Sequence, residues 1–222
     1  YVDIVKFLNT SVPIISYAIR TDSNQPCMVD FYRDTNATGT DFERYYLGYG
    51  RSQGAPRKPS RQNEMSGSRK QFFHESLRGV FRKQGTAQTE GLNTMDVSKV
   101  QDRNSKKKAH ENTREGPRRT ETSINHNTLY STEMIEYQSR DDKCAIFTTK
   151  PGALGPVEPA YQLRVRASAI EDSSELGCLA EVREHVKNIE GRVAVPEKTF
   201  FSGCYTKCKQ HSGCSSFISA ES

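Results

Sequence analysis

Asp141-Asp142-Lys143-Cys144-Ala145-Ile146-Phe147, then Tyr161-Gln162-Leu163-Arg164-Val165-Arg166, then Cys178-Leu179 and Phe201-Ser202-Gly203-Cys204 decide the fold. Cys144 opens a run whose β-branched and aromatic content suits a strand. Pro151, Gly152, Gly155, Pro156 and Pro159 then break the chain as a hairpin-like loop does. In 161–166, Tyr161, Leu163 and Val165 alternate with Gln162, Arg164 and Arg166, the period-two signature of a strand with two unlike faces. Ser173-Ser174 offers a helix cap. Leu179, Val182, Val186 and Ile189 then fall on one helical face, and Gly191 ends it. Two strands, one packed helix and a return segment with cysteines at the seams are the reading.

Working outward, residues 3–9 read as a short opening helix that Pro13 stops. Ile14 to Ile19, Cys27 to Tyr32 and Phe42 to Tyr49 read as three strands, with Asp22-Ser23-Asn24 as a turn between the first two. Thr128 to Tyr137 resumes the strand pattern. Sequential strands joined by tight turns predict an up-and-down antiparallel meander.

The middle of the chain breaks this pattern. Residues 51–125 hold 17 Lys/Arg against 8 Asp/Glu, a local charge of +9, although the whole chain of 222 residues carries only +5. This composition predicts a basic, polar insertion, either disordered or built of irregular strands. Within it, Phe72-Phe73 with Leu77, Val80 and Phe81 reads as a short helix or a strand. Leu92 to Val100 reads as a weak strand. Its basic residues, among them Arg57-Lys58, Arg69-Lys70 and Lys106-Lys107-Lys108, suit an anionic glycan partner. Aromatic interleaving is too thin for a nucleic-acid platform.

Six cysteines without a redox or metal motif point to a secreted, disulfide-bonded chain. Spacing alone leaves fifteen pairings open. A zinc site from Cys204, Cys208, His211 and Cys214 is the rival arrangement. Asn9-Thr10-Ser11 and Asn36-Ala37-Thr38 are glycosylation sequons, at Asn9 and Asn36. No apolar run approaches the ~20 residues of a spanning helix. No nucleophile elbow, P-loop or metal-ligand histidine pair is present, so the expected molecule is not an enzyme and uses no cofactor or metal.

The run Asp142 to Phe147, then Tyr161-Gln162-Leu163-Arg164, Cys178-Leu179 and Phe201 to Cys204 resembles the C-terminal half of the tick salivary lipocalins, the histamine-binding protein family. Asp3 to Ser11, through Cys27, resembles the start of the same family. The likeness covers roughly residues 1–49 and 128–204. It implies a mainly β, antiparallel lipocalin-type (calycin) β-barrel over 1–204, with a short N-terminal helix and a C-terminal α-helix, followed by a cysteine-containing tail over 205–222. It implies the pairs Cys27–Cys204 and Cys144–Cys178, which leave Cys208 and Cys214 to join locally. It implies a monomeric, secreted protein that sequesters a small host mediator, a biogenic amine such as histamine or serotonin. Such an amine is held by inward carboxylates and by cation–π contact.

The pocket candidates are Tyr17, Phe31, Phe42, Tyr45, Tyr46, Phe147, Tyr161, Gln162 and Arg164. Where the family commonly reads Tyr-Glu-Leu-Trp, this chain reads Tyr161-Gln162-Leu163-Arg164: an amide replaces a carboxylate and a cation replaces an aromatic. An inward Arg164 favours an acidic lipid such as a leukotriene, unless a strand carboxylate (Asp30, Glu43, Glu133 or Glu136) neutralises it. Alternation alone does not say which face is inward. A different class of function, inhibition of a protein or glycan through the basic stretch and the outer surface, is the alternative.

Overall fold

The computed structural model describes residues 1–19, 27–47, 72–85, 91–100, 129–152, 160–171, 177–187 and 195–219. Eight strands follow one another around a closed antiparallel barrel: β1 (Ile14–Ile19), β2 (Cys27–Arg33), β3 (Gly39–Leu47), β4 (Phe72–Arg82), β5 (Thr94–Lys99), β6 (Leu129–Gln138), β7 (Cys144–Pro151) and β8 (Ala160–Arg166). Strand β8 returns to β1, with Ser16 opposite Arg164 and Ala18 opposite Gln162. Closure removes the sheet edges. The order and geometry are those of a lipocalin-type barrel.

Because successive side chains point to opposite faces of a strand, the wall separates two apolar cores. Ile14, Tyr32, Phe42, Leu77, Phe81, Met95, Ile135 and Phe147 fill the inside. Helix α1 (Ile4–Leu8) plugs one end with Ile4, Phe7 and Leu8. Its start is capped by Asp3, whose carboxylate accepts from the Lys6 amide. Its end is held by Arg166, which donates to the Lys6 and Phe7 carbonyls at 2.7 Å each. The second core lies outside, where Ile15, Ile19, Val29, Phe31, Tyr45, Ile146, Leu163 and Val165 are covered by helices.

Among the described residues, four helices follow the barrel where one was expected over 173–191. They are α2 (Ala167–Glu171), α3 (Gly177–Val186), α4 (Lys198–Gln210) and α5 (Ser212–Ser219). Leu179, Val182 and Val186 are buried on α3 as their spacing predicts, while Ser173-Ser174, Ile189 and Gly191 lie outside the described residues. The stretch read as a return segment and tail is helical because Phe201, Cys204, Tyr205 and Cys208 recur at helical spacing and are buried. A boundary between 204 and 205 therefore falls inside α4, and the tail packs on the barrel wall.

All six cysteines are cross-linked: Cys27–Cys204 joins β2 to α4, Cys144–Cys178 joins β7 to α3, and Cys208–Cys214 joins α4 to α5. These are the pairs the resemblance implies, and they leave no thiolates for a zinc site.

Strands β4 and β5 both fall in the basic stretch 51–125. Their inward residues Leu77, Phe81, Met95 and Val97 are buried, whereas His74, Arg78 and Arg82 face outward. One wet face explains how so polar a stretch supplies strands. Of the stretch 51–125 expected to be disordered or irregular, Phe72–Arg82 and Thr94–Lys99 are regular strands, while 51–71, 86–90 and 101–125 lie outside the described residues. Asn9 and Asn36 are both exposed.

Candidate functional site

Above the α1 plug, the inner wall carries a layer of charged groups. Asp30 on β2, Arg44 on β3, Glu133 on β6 and Arg164 on β8 are each at most 2% exposed. Alternation places them there: Asp30 lies between outward Val29 and Phe31, and Arg164 between outward Leu163 and Val165. Arg44 binds Asp30 with two parallel hydrogen bonds, Nε and Nη2 each 2.8 Å from a carboxylate oxygen. Its Nη1 donates to Glu133 at 3.0 Å. Arg164 Nη2 donates to the other Glu133 oxygen at 2.5 Å and to Gln162 Oε1 at 2.9 Å. Tyr32 donates to Asp30 at 3.1 Å and accepts from Arg164 Nη1 at 3.3 Å. Aromatic faces complete the layer: Arg164 lies 4.1 Å from the Phe147 ring centroid and Arg44 5.1 Å from that of Phe42.

These contacts set the protonation states. Burial alone would raise the Glu133 carboxyl, but Arg164 and Arg44 outweigh it and bring it down to about 2. Burial would lower both guanidiniums, yet the carboxylates hold them above their usual range. Burial, aided by Asp30, pushes the Tyr32 phenol well up, so it stays a neutral donor. Glu133 and the two guanidiniums are thus held in their charged forms, and the layer is internally paired.

Two polar atoms break the completeness. Among the described residues, Ser16 Oγ and Arg164 Nε are buried side-chain atoms with no hydrogen-bond partner. They sit on residues opposite one another across β1 and β8. An unmade hydrogen bond on a buried group costs about 1–3 kcal/mol, so an acceptor that reached either atom would be stabilising. Towards the other end of the barrel, the hydroxyls of Tyr46 and Tyr130 meet at 2.6 Å. Lys99 pairs with Glu75 at 2.5 Å and lies 5.3 Å from the Tyr130 ring centroid.

Of the residues expected to line the interior, Phe42, Tyr46, Phe147, Gln162 and Arg164 face inward. Tyr17, Phe31, Tyr45 and Tyr161 do not. Tyr17 packs edge-on against Phe200 of α4, and Phe31 lies against Phe217 of α5. Tyr45 stacks on His74 and donates to the Gly213 carbonyl at 3.1 Å, and Tyr161 belongs to the outer core. The reason is that the outer wall here is as apolar as the inner one, because helices cover it. Glu43 also points outward and accepts from Arg33, His74 and Ser76. Glu136 is exposed and accepts from Thr148. Arg164's counter-ion is Glu133.

Arg44, Tyr32 and Ser16 were not anticipated. The signal was present as period two: Asp30 and Tyr32 share one face of β2, and Phe42, Arg44 and Tyr46 share one face of β3.

The fold and the buried layer define a lipocalin-type barrel with a charged layer inside an otherwise apolar core. No family model and no curated protein matches the chain. Among solved structures it is similar to japanin from Rhipicephalus appendiculatus bound to cholesterol, with a TM-score of 0.36 and 8% identity over 81% of this chain and 87% of that one. A likeness that slight says nothing of what this chain binds.

Proposed function

We propose that this chain is a secreted binding protein that captures a small molecule, without turnover, inside its barrel, as the resemblance to tick salivary lipocalins implies. The observation that carries the reading is the pair of unsatisfied buried atoms, Ser16 Oγ and Arg164 Nε, on residues that face one another across β1 and β8. Concave, largely apolar sites with a few placed polar groups are how small ligands are held. Disulfides formed by all six cysteines agree with an oxidising, extracellular setting.

For a biogenic amine such as histamine, the interior supplies Asp30 and Glu133, but each is already held by a guanidinium. An amine must displace Arg44 or Arg164 to reach either. For an acidic lipid such as a leukotriene, Arg164 offers a free donor, but its charge is already met by Glu133. Calorimetric titration with histamine, serotonin, a leukotriene and a long-chain alcohol tests the reading. Saturable one-to-one binding of at least one is expected; no saturable binding of any would sink it. Heparin chromatography tests separately whether the basic stretch 51–125 takes an anionic glycan.

A further inference from the structure

The buried layer is electrically complete. Two guanidiniums, Arg44 and Arg164, face two carboxylates, Asp30 and Glu133, and each charged group has an opposite partner in the layer. An arriving carboxylate would bring a third negative charge into a place that holds no spare positive one. An arriving ammonium would bring a third positive charge. Either has to be stripped of water and left without its own counter-ion, which is what makes burying a charge costly. What the layer lacks is a hydrogen-bond partner at Arg164 Nε and one at Ser16 Oγ.

We propose that the barrel selects an uncharged ligand, an apolar molecule ending in a hydroxyl or carbonyl oxygen, seated between Ser16 and Arg164. The inference rests on the capture reading and narrows it to a ligand class. A hydroxyl oxygen accepts from Arg164 Nε–H and exchanges a hydrogen bond with Ser16 Oγ, so both orphaned groups are satisfied and the net charge of the layer does not change. The neighbouring inward position on β1 is Ala18, opposite Gln162. Ser16 and Ala18 are small, so their side chains take up little of the interior beside Arg164 and Gln162. Tyr32, Gln162 and Glu133 occupy the Nη1 and Nη2 atoms of the Arg164 guanidinium, which leaves Nε–H as its unmet donor. The apolar body of the ligand then meets the same kind of lining that Phe42 and Phe147 give the two guanidiniums.

The test is a head-group series on one chain length: dodecanol, dodecanoate and dodecylammonium, each titrated calorimetrically into the disulfide-intact protein at neutral pH below its micelle concentration. Dodecanol is expected to bind tightest, by about tenfold or more, which corresponds to about 1.4 kcal/mol. In the Ser16→Ala variant, dodecanol is expected to weaken about two- to tenfold. The melting temperature of the free variant should hold or rise, because an unsatisfied hydroxyl has left the interior. That combination separates a ligand contact from a merely structural role. A charged member matching or exceeding dodecanol overturns the inference and leaves capture standing. So does unchanged dodecanol binding in Ser16→Ala. Failure of all three to bind overturns both the inference and the capture reading beneath it.

Discussion

Glu133 holds two guanidiniums on one carboxylate, and its titration follows from that. Its value of about 2 in the fold lies below the ordinary 4.5. A group depressed by folding stabilises the fold fully above its ordinary value and loses that contribution as pH falls through the folded one. The stabilisation is therefore complete above pH 4.5 and disappears towards pH 2, with a size on the order of 3 kcal/mol. Urea unfolding across this window should show stability falling with acid. Glu133→Gln removes that limb and costs about 3–5 kcal/mol at neutral pH, because Arg164 is left as a buried charge without its anion. A variant with wild-type stability at neutral pH would show that the buried pairing is unimportant to the fold.

At the scale of elements, the disulfides differ in the length of chain they close. Cys27–Cys204 spans 177 residues, Cys144–Cys178 spans 34 and Cys208–Cys214 spans 6. In the chain-entropy model they stabilise by roughly 5, roughly 4 and about 2 kcal/mol. Paired Cys→Ala variants should lose stability in that order in urea, and peptide mapping without reductant should recover these three links. Recovery of Cys27 joined to Cys144 would contradict the arrangement. The β3–β4 contact gives a second test. A Cβ on Gly39 would meet the Gly79 carbonyl oxygen at 2.3 Å, whereas a Cβ on Gly79 would meet the Met95 sulfur at 2.2 Å. Backbone cannot move aside and a methionine tip can. Gly39→Ala is therefore expected to cost about 2–3 kcal/mol and Gly79→Ala about 1 kcal/mol, measured by denaturant midpoints.

Strand existence was legible in the sequence wherever alternation or apolar runs were clear, as at Ile14 to Ile19 and 161–166. The positions of β4 and β5 were only half legible, because a strand with one solvated face in a basic stretch resembles a loop in composition. The site was legible at Gln162 and Arg164, whose alternation with Leu163 and Val165 put them on one face. It was illegible at Tyr17, Phe31, Tyr45 and Tyr161, because period two separates two faces without saying which one a helix covers. Helix α4 hid for a related reason: its buried face includes Cys204 and Cys208, which read as cross-link positions before they read as helix core.

At the scale of the whole molecule, cross-links and helices gather on one flank. Every cysteine on a strand belongs to β2 or β7, and α2, α3 and α4 pack on β1, β2, β3, β7 and β8. The outer face of β5, and of β4 beyond His74, carries instead the pairs Arg78–Asp41 and Arg82–Asp96, all partly or largely exposed. Mechanically, the cylinder is clamped along one seam, and the opposite one is expected to yield first. If the barrel takes a guest as proposed, the unclamped strands are the ones expected to yield, while the clamped ones keep Ser16 and Arg164 in register. Amide exchange should run faster in β5 than in β7 and β8, and slow most in β5 when the barrel is filled.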